Sequence, residues 1–209
     1  MSNNTQMNTA LYPDAPPNTP ALEGVIVRWA KLSDMEGIHN AHMRSIQQIC
    51  SRNYTTEQIE AWGGRKLDKE LRSNAILNDL VWVVELEKSI EGYGHLKFVP
   101  GEQGQEARMA GLFLTTRVFR RYFGKKLVEL MFKECETRNV EFMSLDSTLN
   151  ALDFYQKIGF KVAGEQKFEI FAGMPIECVP MNIHLTPKIL HQNSLTTGSS
   201  HAPSFWSDF

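Results

Sequence analysis

Residues 108–132, RMAGLFLTTRVFRRYFGKKLVELMF, constrain the fold more than any other stretch of the chain. The opening RMAGLFLTT is apolar on both faces, as expected of a central strand covered on both sides. Phe123, Leu127, Leu130 and Met131 then mark one stripe of a helix that ends near Asn139. Between strand and helix, five of the ten residues 117–126 are basic and none is acidic. A helix N-terminus carries N–H groups without intrahelical acceptors and a partial positive charge, so it attracts anions. Basic side chains there oppose the macrodipole, where acidic ones would gain about 0.3–1 kcal/mol. A bound phosphate would offset that penalty. Lys125 and Lys126 are equally at home on a wet helical face, so this turn alone does not decide between a ligand cradle and a solvated surface.

The rest of the chain alternates strands and helices around this unit. VIVRWA reads as a short strand. Ser33 with Glu36, and Thr55 with Gln58, form capping-box patterns ahead of two helices, the first carrying Met35, Ile38, His42, Ile46 and Ile49 at helical spacing. VWVVELE and IEGYGHLKFV read as strands joined around Lys88 and Ser89. EFMSLDS is a further strand, and LNALDFYQKI a helix capped by Ser147 or Thr148 and stopped at Gly159. GFKVAGEQKFEIF and IECVPMNIHL close the domain as a strand pair. The predicted order is β-α-α-β-β-β-α-β-α-β-β, an α/β arrangement without repeats. Residues 1–22 read as a flexible leader, 23–186 as one domain, and 187–209 as a flexible tail containing Phe205, Trp206 and Phe209.

Bulk properties exclude several function classes. A net charge of -2 supplies no large positive field, which argues against long nucleic acid as a partner. Three widely spaced cysteines, Cys50, Cys135 and Cys178, fit reduced thiols better than a disulfide framework or metal cluster. No apolar run approaches membrane-spanning length and the N-terminus lacks the parts of a signal peptide, so a cytoplasmic, membrane-free protein is expected.

A second motif follows the basic turn. STLNALDFYQKIGFKV places Asn150, Ala151 and Tyr155 before Gly159-Phe160, with Ala151 and Tyr155 one turn apart on one helical face. Together with MAGLFLTTRVFRRYFGKKLVELMF and the closing MPIECVPMNIHL, this resembles the GCN5-related N-acetyltransferase (GNAT) superfamily over residues 25–185. RSIQQICSRNYTTEQIEAW is similar to the first helical pair of a bacterial branch whose acceptors are mostly unknown. The loop departs from the family signature, Arg or Gln, two residues, Gly, one residue, Gly or Ala. With Gly124 as its last member, Tyr122 holds the Gly position and Phe119 the Arg/Gln position.

The resemblance implies an α/β fold with a mixed, mostly antiparallel sheet, helices on both faces, and central strands 4 and 5 splayed apart. It implies acetyl-CoA, or another acyl-CoA, as co-substrate, with no metal. Pantetheine would pair with backbone around Leu112, Phe113 and Leu114, and the pyrophosphate would rest on the amides of Phe119, Arg120, Arg121, Tyr122, Phe123, Gly124 and Lys125. Asn150 would approach the pantetheine. A primary amine, on a small molecule or peptide, would attack the thioester directly while Tyr155 acts as general acid. Glu85, His95 and Asp146 are candidates to assist deprotonation, and Tyr54 and Trp62 to wall the acceptor pocket. A homodimer is one assembly compatible with this reading. Two alternatives stand beside it. A non-catalytic acyl-CoA sensor is favoured by Phe119 and Tyr122, and an interaction module by the aromatic C-terminus.

Overall fold

In the computed structural model, residues 22–101 and 104–185 are described; the expected leader, except its last residue Leu22, and the expected tail lie outside them. The strands are β1 (Val25–Trp29), β2 (Leu80–Leu86), β3 (Ser89–Gly101), β4 (Gly104–Leu114), β5 (Phe142–Thr148), β6 (Lys161–Val162), β7 (Lys167–Phe171) and β8 (Met174–His184). They form one sheet in the order β1-β2-β3-β4-β5-β8-β6, with β7 also paired to β8. Every pairing is antiparallel except β4 with β5. This is the mixed, mostly antiparallel sheet that the resemblance implies.

Five helices cover it: α1 (Met35–Ile49), α2 (Thr56–Gly63), α3 (Lys69–Asn78), α4 (Phe123–Thr137) and α5 (Leu152–Ile158). The alternation in β2 shows how the faces are divided. Val81 and Val83 pack with Ile38 and Ala41 of α1, whereas Trp82 and Val84 join Leu127, Val128 and Met131 of α4. A third apolar cluster, with Met43, Ile46, Tyr54, Trp62 and Ile176, ties α1 and α2 to β8.

Several local expectations change. Helix α3 is absent from the predicted order because none of its residues is buried; Leu71 and Leu77 face solvent, which erases the apolar stripe. Asp68 caps it, accepting from the Leu71 amide at 2.9 Å. The run GFKVAGEQKFEIF divides into β6 and β7, both paired to β8. Helix α1 begins directly after a short 3-10 segment, Leu32–Asp34, so Asp34 rather than Ser33 stands at its start, without a side-chain cap. Neither Ser147 nor Thr148 caps α5 through its side chain; a 3-10 turn, Leu149–Ala151, precedes that helix. The Thr55–Gln58 capping box forms as expected.

Candidate active site

Strands β4 and β5 are paired only at Ala107–Met143, Arg108–Ser144 and Met109–Leu145. Beyond Met109, β4 stays paired to β3 as far as Leu114, and β5 stays paired to β8 as far as Thr148. The two strands therefore diverge, which is the expected splay. Ala110 has no counterpart in β3, because Met109 pairs Leu96 and Gly111 pairs the adjacent His95. That bulge turns the strand and releases backbone groups from the ladder at the vertex.

A cleft of about 250 Å³ occupies this opening. Its walls include Met109, Leu112 and Phe113 from β4, Asp146 and Thr148 from β5, Ala151 and Tyr155 from the α5 side, and Trp62, Phe171 and Cys178 opposite. Tyr155 is buried, and its hydroxyl donates only to Met109 Sδ, at 3.5 Å. A thioether is a weak acceptor for a buried phenol. Burial also raises the Tyr155 pKa well above the ordinary tyrosine value. Its phenol thus stays protonated and aims at sulfur where the strands part.

The basic turn resolves into separate roles. Arg117 donates to Glu91 Oε1 at 2.8 Å and to Glu87 at 2.6 Å, so it braces the turn. Glu91 is buried and also accepts from Thr115 Oγ1 at 2.5 Å, while Arg44 lies at 3.4 Å. Burial alone would raise the Glu91 pKa. Hydrogen bonds from Thr115, Ser89 and Arg117, with the charge of Arg44, bring it below the ordinary carboxylate value. Sequence reasoning missed Glu91 because it sits at an unremarkable position of an alternating strand and its partners are distant in the chain.

The loop also corrects one expectation. The Phe119 amide donates to the Thr115 carbonyl at 2.9 Å, so it is committed to the turn rather than to a phosphate. Tyr122 lies at the start of α4 with φ 66°, and Arg120 has φ 56°; both take the left-handed conformation that favours glycine. The backbone at 122 thus keeps a glycine-like path while carrying a tyrosine. Lys126 is the first helical amide to bond back, to the Tyr122 carbonyl at 2.9 Å. The amides of Phe123 and Gly124, one turn earlier, lie ahead of the first i−4 acceptor. A Cβ on Gly124 would lie 3.2 Å from Phe154 and 3.6 Å from Leu114. The start of α4 is therefore wedged between the end of β4 and α5, next to the splay. Tyr122 is not among the residues lining the cleft. Asn150 Oδ1 is buried without a hydrogen-bond partner among the described residues, so it can accept from an amide. These features fit a pantetheine diphosphate: an open strand edge, helix-start amides and an amide acceptor.

The other candidates separate clearly. Glu85 pairs with Arg28 at 2.6 Å, away from the cleft. His95 binds Asp79 at 2.8 Å and does not line the cleft; burial lowers its pKa while Asp79 opposes that shift. Tyr54 acts as a strut, donating to the Glu177 carbonyl at 2.7 Å and accepting from the Leu149 amide at 2.9 Å. Asp146 and Trp62 do line the cleft. Arg108 and Lys167 both engage Asp146 Oδ2, whereas Oδ1 is buried without a partner among the described residues.

Two further cleft residues escaped sequence reasoning. His42 is buried on α1, its ring tilted against Phe113 with centroids 4.0 Å apart, and its Nδ1 lies 3.2 Å from the Tyr93 hydroxyl. A histidine inside the apolar stripe of α1 was the available signal. Arg65 lies 4.4 Å above the Phe171 ring, and its Nε donates to the Trp62 carbonyl at 2.8 Å. No local pattern in the sequence marks it.

All three cysteines are free and buried. Burial pushes Cys178, the one in the cleft wall, up to about 11, which disfavours the thiolate needed for a covalent route. No group of three or more potential metal ligands occurs among the described residues, and none of their helices is long and apolar enough to cross a membrane.

Solved structures of similar fold carry the same architecture at low identity. A GCN5-related N-acetyltransferase from Rhodopseudomonas palustris is 21% identical, with TM-score 0.69 over 80% of this chain and 99% of its own. The PaiA N-acetyltransferase from Thermoplasma acidophilum, in complex with coenzyme A, is 21% identical, with TM-score 0.60 over 77% and 98%. The ribosomal-protein-S18-alanine N-acetyltransferase from Escherichia coli is 14% identical, with TM-score 0.57 over 83% and 99%. Among proteins of curated function, none matches significantly. The family model described as "Acetyltransferase (GNAT) domain" matches residues 50–185. With that match spanning most of the chain and the splayed sheet around it, the protein belongs to the GNAT acetyltransferase family.

Proposed function

We propose that this chain is an N-acetyltransferase that moves the acetyl group of acetyl-CoA directly onto a primary amine. The observation that carries the reading is the Tyr155 hydroxyl at the vertex of the β4–β5 splay, with only the Met109 sulfur as acceptor. In this reading the open edge around Leu112, Phe113 and Leu114 accepts pantetheine as an added strand. The amides from Arg120 to Lys125 hold the diphosphate, and Asn150 Oδ1 accepts from a pantetheine amide. A backbone N–H of the Ala110 bulge polarises the thioester carbonyl and receives its developing negative charge.

The nitrogen–carbon bond forms as the carbon–sulfur bond breaks, and one proton passes from nitrogen to sulfur. An alkylamine near pKa ~10.4 costs roughly 4.6 kcal/mol to deprotonate at pH 7. Arg108 and Lys167 place two cations around the single carboxylate of Asp146, an environment that favours a neutral amine. Asp146 Oδ1 then accepts a hydrogen bond from that amine and aims its lone pair.

Tyr155 has a limited task. A phenol near pKa ~10 gives its proton to a thiolate near ~8.5 uphill, by roughly 2 kcal/mol, and burial makes Tyr155 weaker still. Its main contribution is a hydrogen bond to the sulfur as charge develops. Its proton is replaced by the one the amine releases. Direct transfer also accords with the raised Cys178 thiol, which is unsuited to carry the acetyl group.

The test is turnover of acetyl-CoA with an amine panel, following free CoA thiol and acetylated amine together by mass spectrometry. Tyr155→Phe is expected to keep acetyl-CoA affinity and to lose about tenfold or more in kcat. A Phe variant with parental kcat would remove Tyr155 from the mechanism. Stoichiometric acetylation of the protein itself would replace direct transfer by a covalent route.

A further inference from the structure

Two buried side-chain atoms in the cleft wall lack hydrogen-bond partners among the described residues, and they call for opposite ligand groups: His42 Nε2 and Asp146 Oδ1. Buried polar atoms are rarely left without a partner, so each is informative about what the cleft receives. Asp146 Oδ1 is an acceptor. The character of Nε2 follows from Tyr93. Among the described residues His42 Nδ1 is the one hydrogen-bond partner of the Tyr93 hydroxyl; the Arg72 guanidinium lies over the Tyr93 ring, 5.2 Å from its centroid, and, being able only to donate, offers the phenol proton no acceptor. The single phenol proton is therefore directed to His42 Nδ1, 3.2 Å away, which leaves the ring hydrogen on Nε2. Burial, reinforced by the nearby Arg65 and Arg72, lowers the His42 pKa well below its ordinary value, so the ring is a neutral donor.

Arg65 stands at the same end of the cleft. Its ring contact with Phe171 and its Nε bond to the Trp62 carbonyl fix the guanidinium plane, leaving its outer edge for a ligand. Among the described residues neither Arg65 nor Arg72 has a carboxylate within 4.0 Å. Glu169 on β7 also lines the cleft and lies near enough for its field to act on Arg65, but it is exposed and forms no ion pair there. A fixed, partly buried guanidinium edge beside a neutral N–H donor suits a planar carboxylate, which accepts both Arg hydrogen bonds and leaves a lone pair for His42.

We propose that the acceptor is a small amine that also bears a carboxylate, an amino acid in chemical class. Its carboxylate is held by Arg65 and His42 Nε2–H, its amine by Asp146 Oδ1, and its side chain lies against Trp62 and Phe171. This deepens the acyl-transfer reading and rests on it; the reaction is unchanged, with nitrogen acetylated and its proton ending on the CoA sulfur.

The test is calorimetric binding to the full chain in the presence of CoA, using matched pairs. These are phenylalanine against phenethylamine, leucine against 3-methylbutylamine, and phosphoethanolamine against ethanolamine. The amino acids are expected to bind at least tenfold more tightly than their decarboxylated partners. Arg65→Gln should bring the pair within about threefold while acetyl-CoA affinity stays parental. The parent protein's own ratio tests the proposal even if that variant folds poorly. Equal or tighter binding of the decarboxylated amines overturns it. So does a clear preference for phosphoethanolamine, or binding of acetyl-CoA with no amino acid bound. Failure to bind acetyl-CoA in the same cell would instead remove the acyl-transfer reading beneath it.

Discussion

Glu91 offers the sharpest test of how the fold holds the turn between β4 and α4. Its carboxylate is 1% exposed and gathers Thr115, Arg117 and Arg44 at the point where β4 ends and the basic turn begins. The Thr115 amide also donates to the Glu91 carbonyl at 2.8 Å, so side chain and backbone pin the same residue. Removing one member of a buried charge pair costs about 3–5 kcal/mol. Both arginine side chains reach solvent, 45% and 38% exposed, and can rehydrate, so the cost falls at or just below the bottom of that range. Glu91→Ala is expected to cost about 2–3 kcal/mol. Glu91→Gln, which keeps an acceptor for Thr115, should cost about 1–2. For a protein of this size that lowers Tm by about 4–12 °C for the alanine variant.

The pH window follows from the direction of the shift. The folded pKa lies below the ordinary carboxylate value of ~4.3, so the stabilisation is complete above that value and fades as pH falls through the lower folded pKa. Denaturant unfolding of parent and Glu91→Gln should therefore differ at pH 7 and converge in strong acid. Acetyl-CoA affinity should fall in the same variant, because Thr115 and Arg117 set the path into residues 119–125. A Glu91→Gln protein within about 0.5 kcal/mol of the parent at pH 7, with unchanged acetyl-CoA affinity, would refute this reasoning.

Other outcomes follow from the same geometry. Cys178→Ala should leave kcat within about twofold, since a buried thiol near 11 is poorly suited to carry an acetyl group; loss of activity with retained folding would contradict that. His39, His42 and His95 all have folded pKa values lowered by burial, so stability should be complete above about pH 6.5 and decline as pH falls through the lower folded values, read by urea titrations at pH 5 and 7. His42→Gln should flatten part of that decline. Gly124→Val would drive a branched side chain at Phe154, already 3.2 Å from a Cβ there, and should destabilise by about 1–3 kcal/mol while weakening acetyl-CoA binding.

Much of the sheet was legible because its strands and main helices bury one face. RMAGLFLTT leads into a helix whose Leu127 and Met131 are fully buried, and Tyr155 faces the opening. Helix α3 was not legible, since its leucines point outward and leave no period to read. The site was legible only where chemistry lies within one element. His42 meets Tyr93 across 51 residues, Arg117 meets Glu91 across 26, and Arg108 meets Asp146 across 38. Such pairs depend on sheet register, which a single sequence does not fix residue by residue. The basic turn shows the same limit. Its residues look alike in the sequence, yet Arg117 is bound to carboxylates and the Phe119 amide to a carbonyl.

The central claim is that the gap between β4 and β5, with the start of α4, holds an acyl-CoA. The most direct measurement is the thermal unfolding midpoint across acetyl-CoA concentrations, with CoA and unrelated nucleotides as controls. Above the dissociation constant each tenfold rise in ligand adds about 1.4 kcal/mol, so Tm should climb by about 3–6 °C per decade. CoA should act similarly, and nucleotides lacking the pantetheine arm should act weakly. A midpoint that stays flat to millimolar acetyl-CoA would contradict the account.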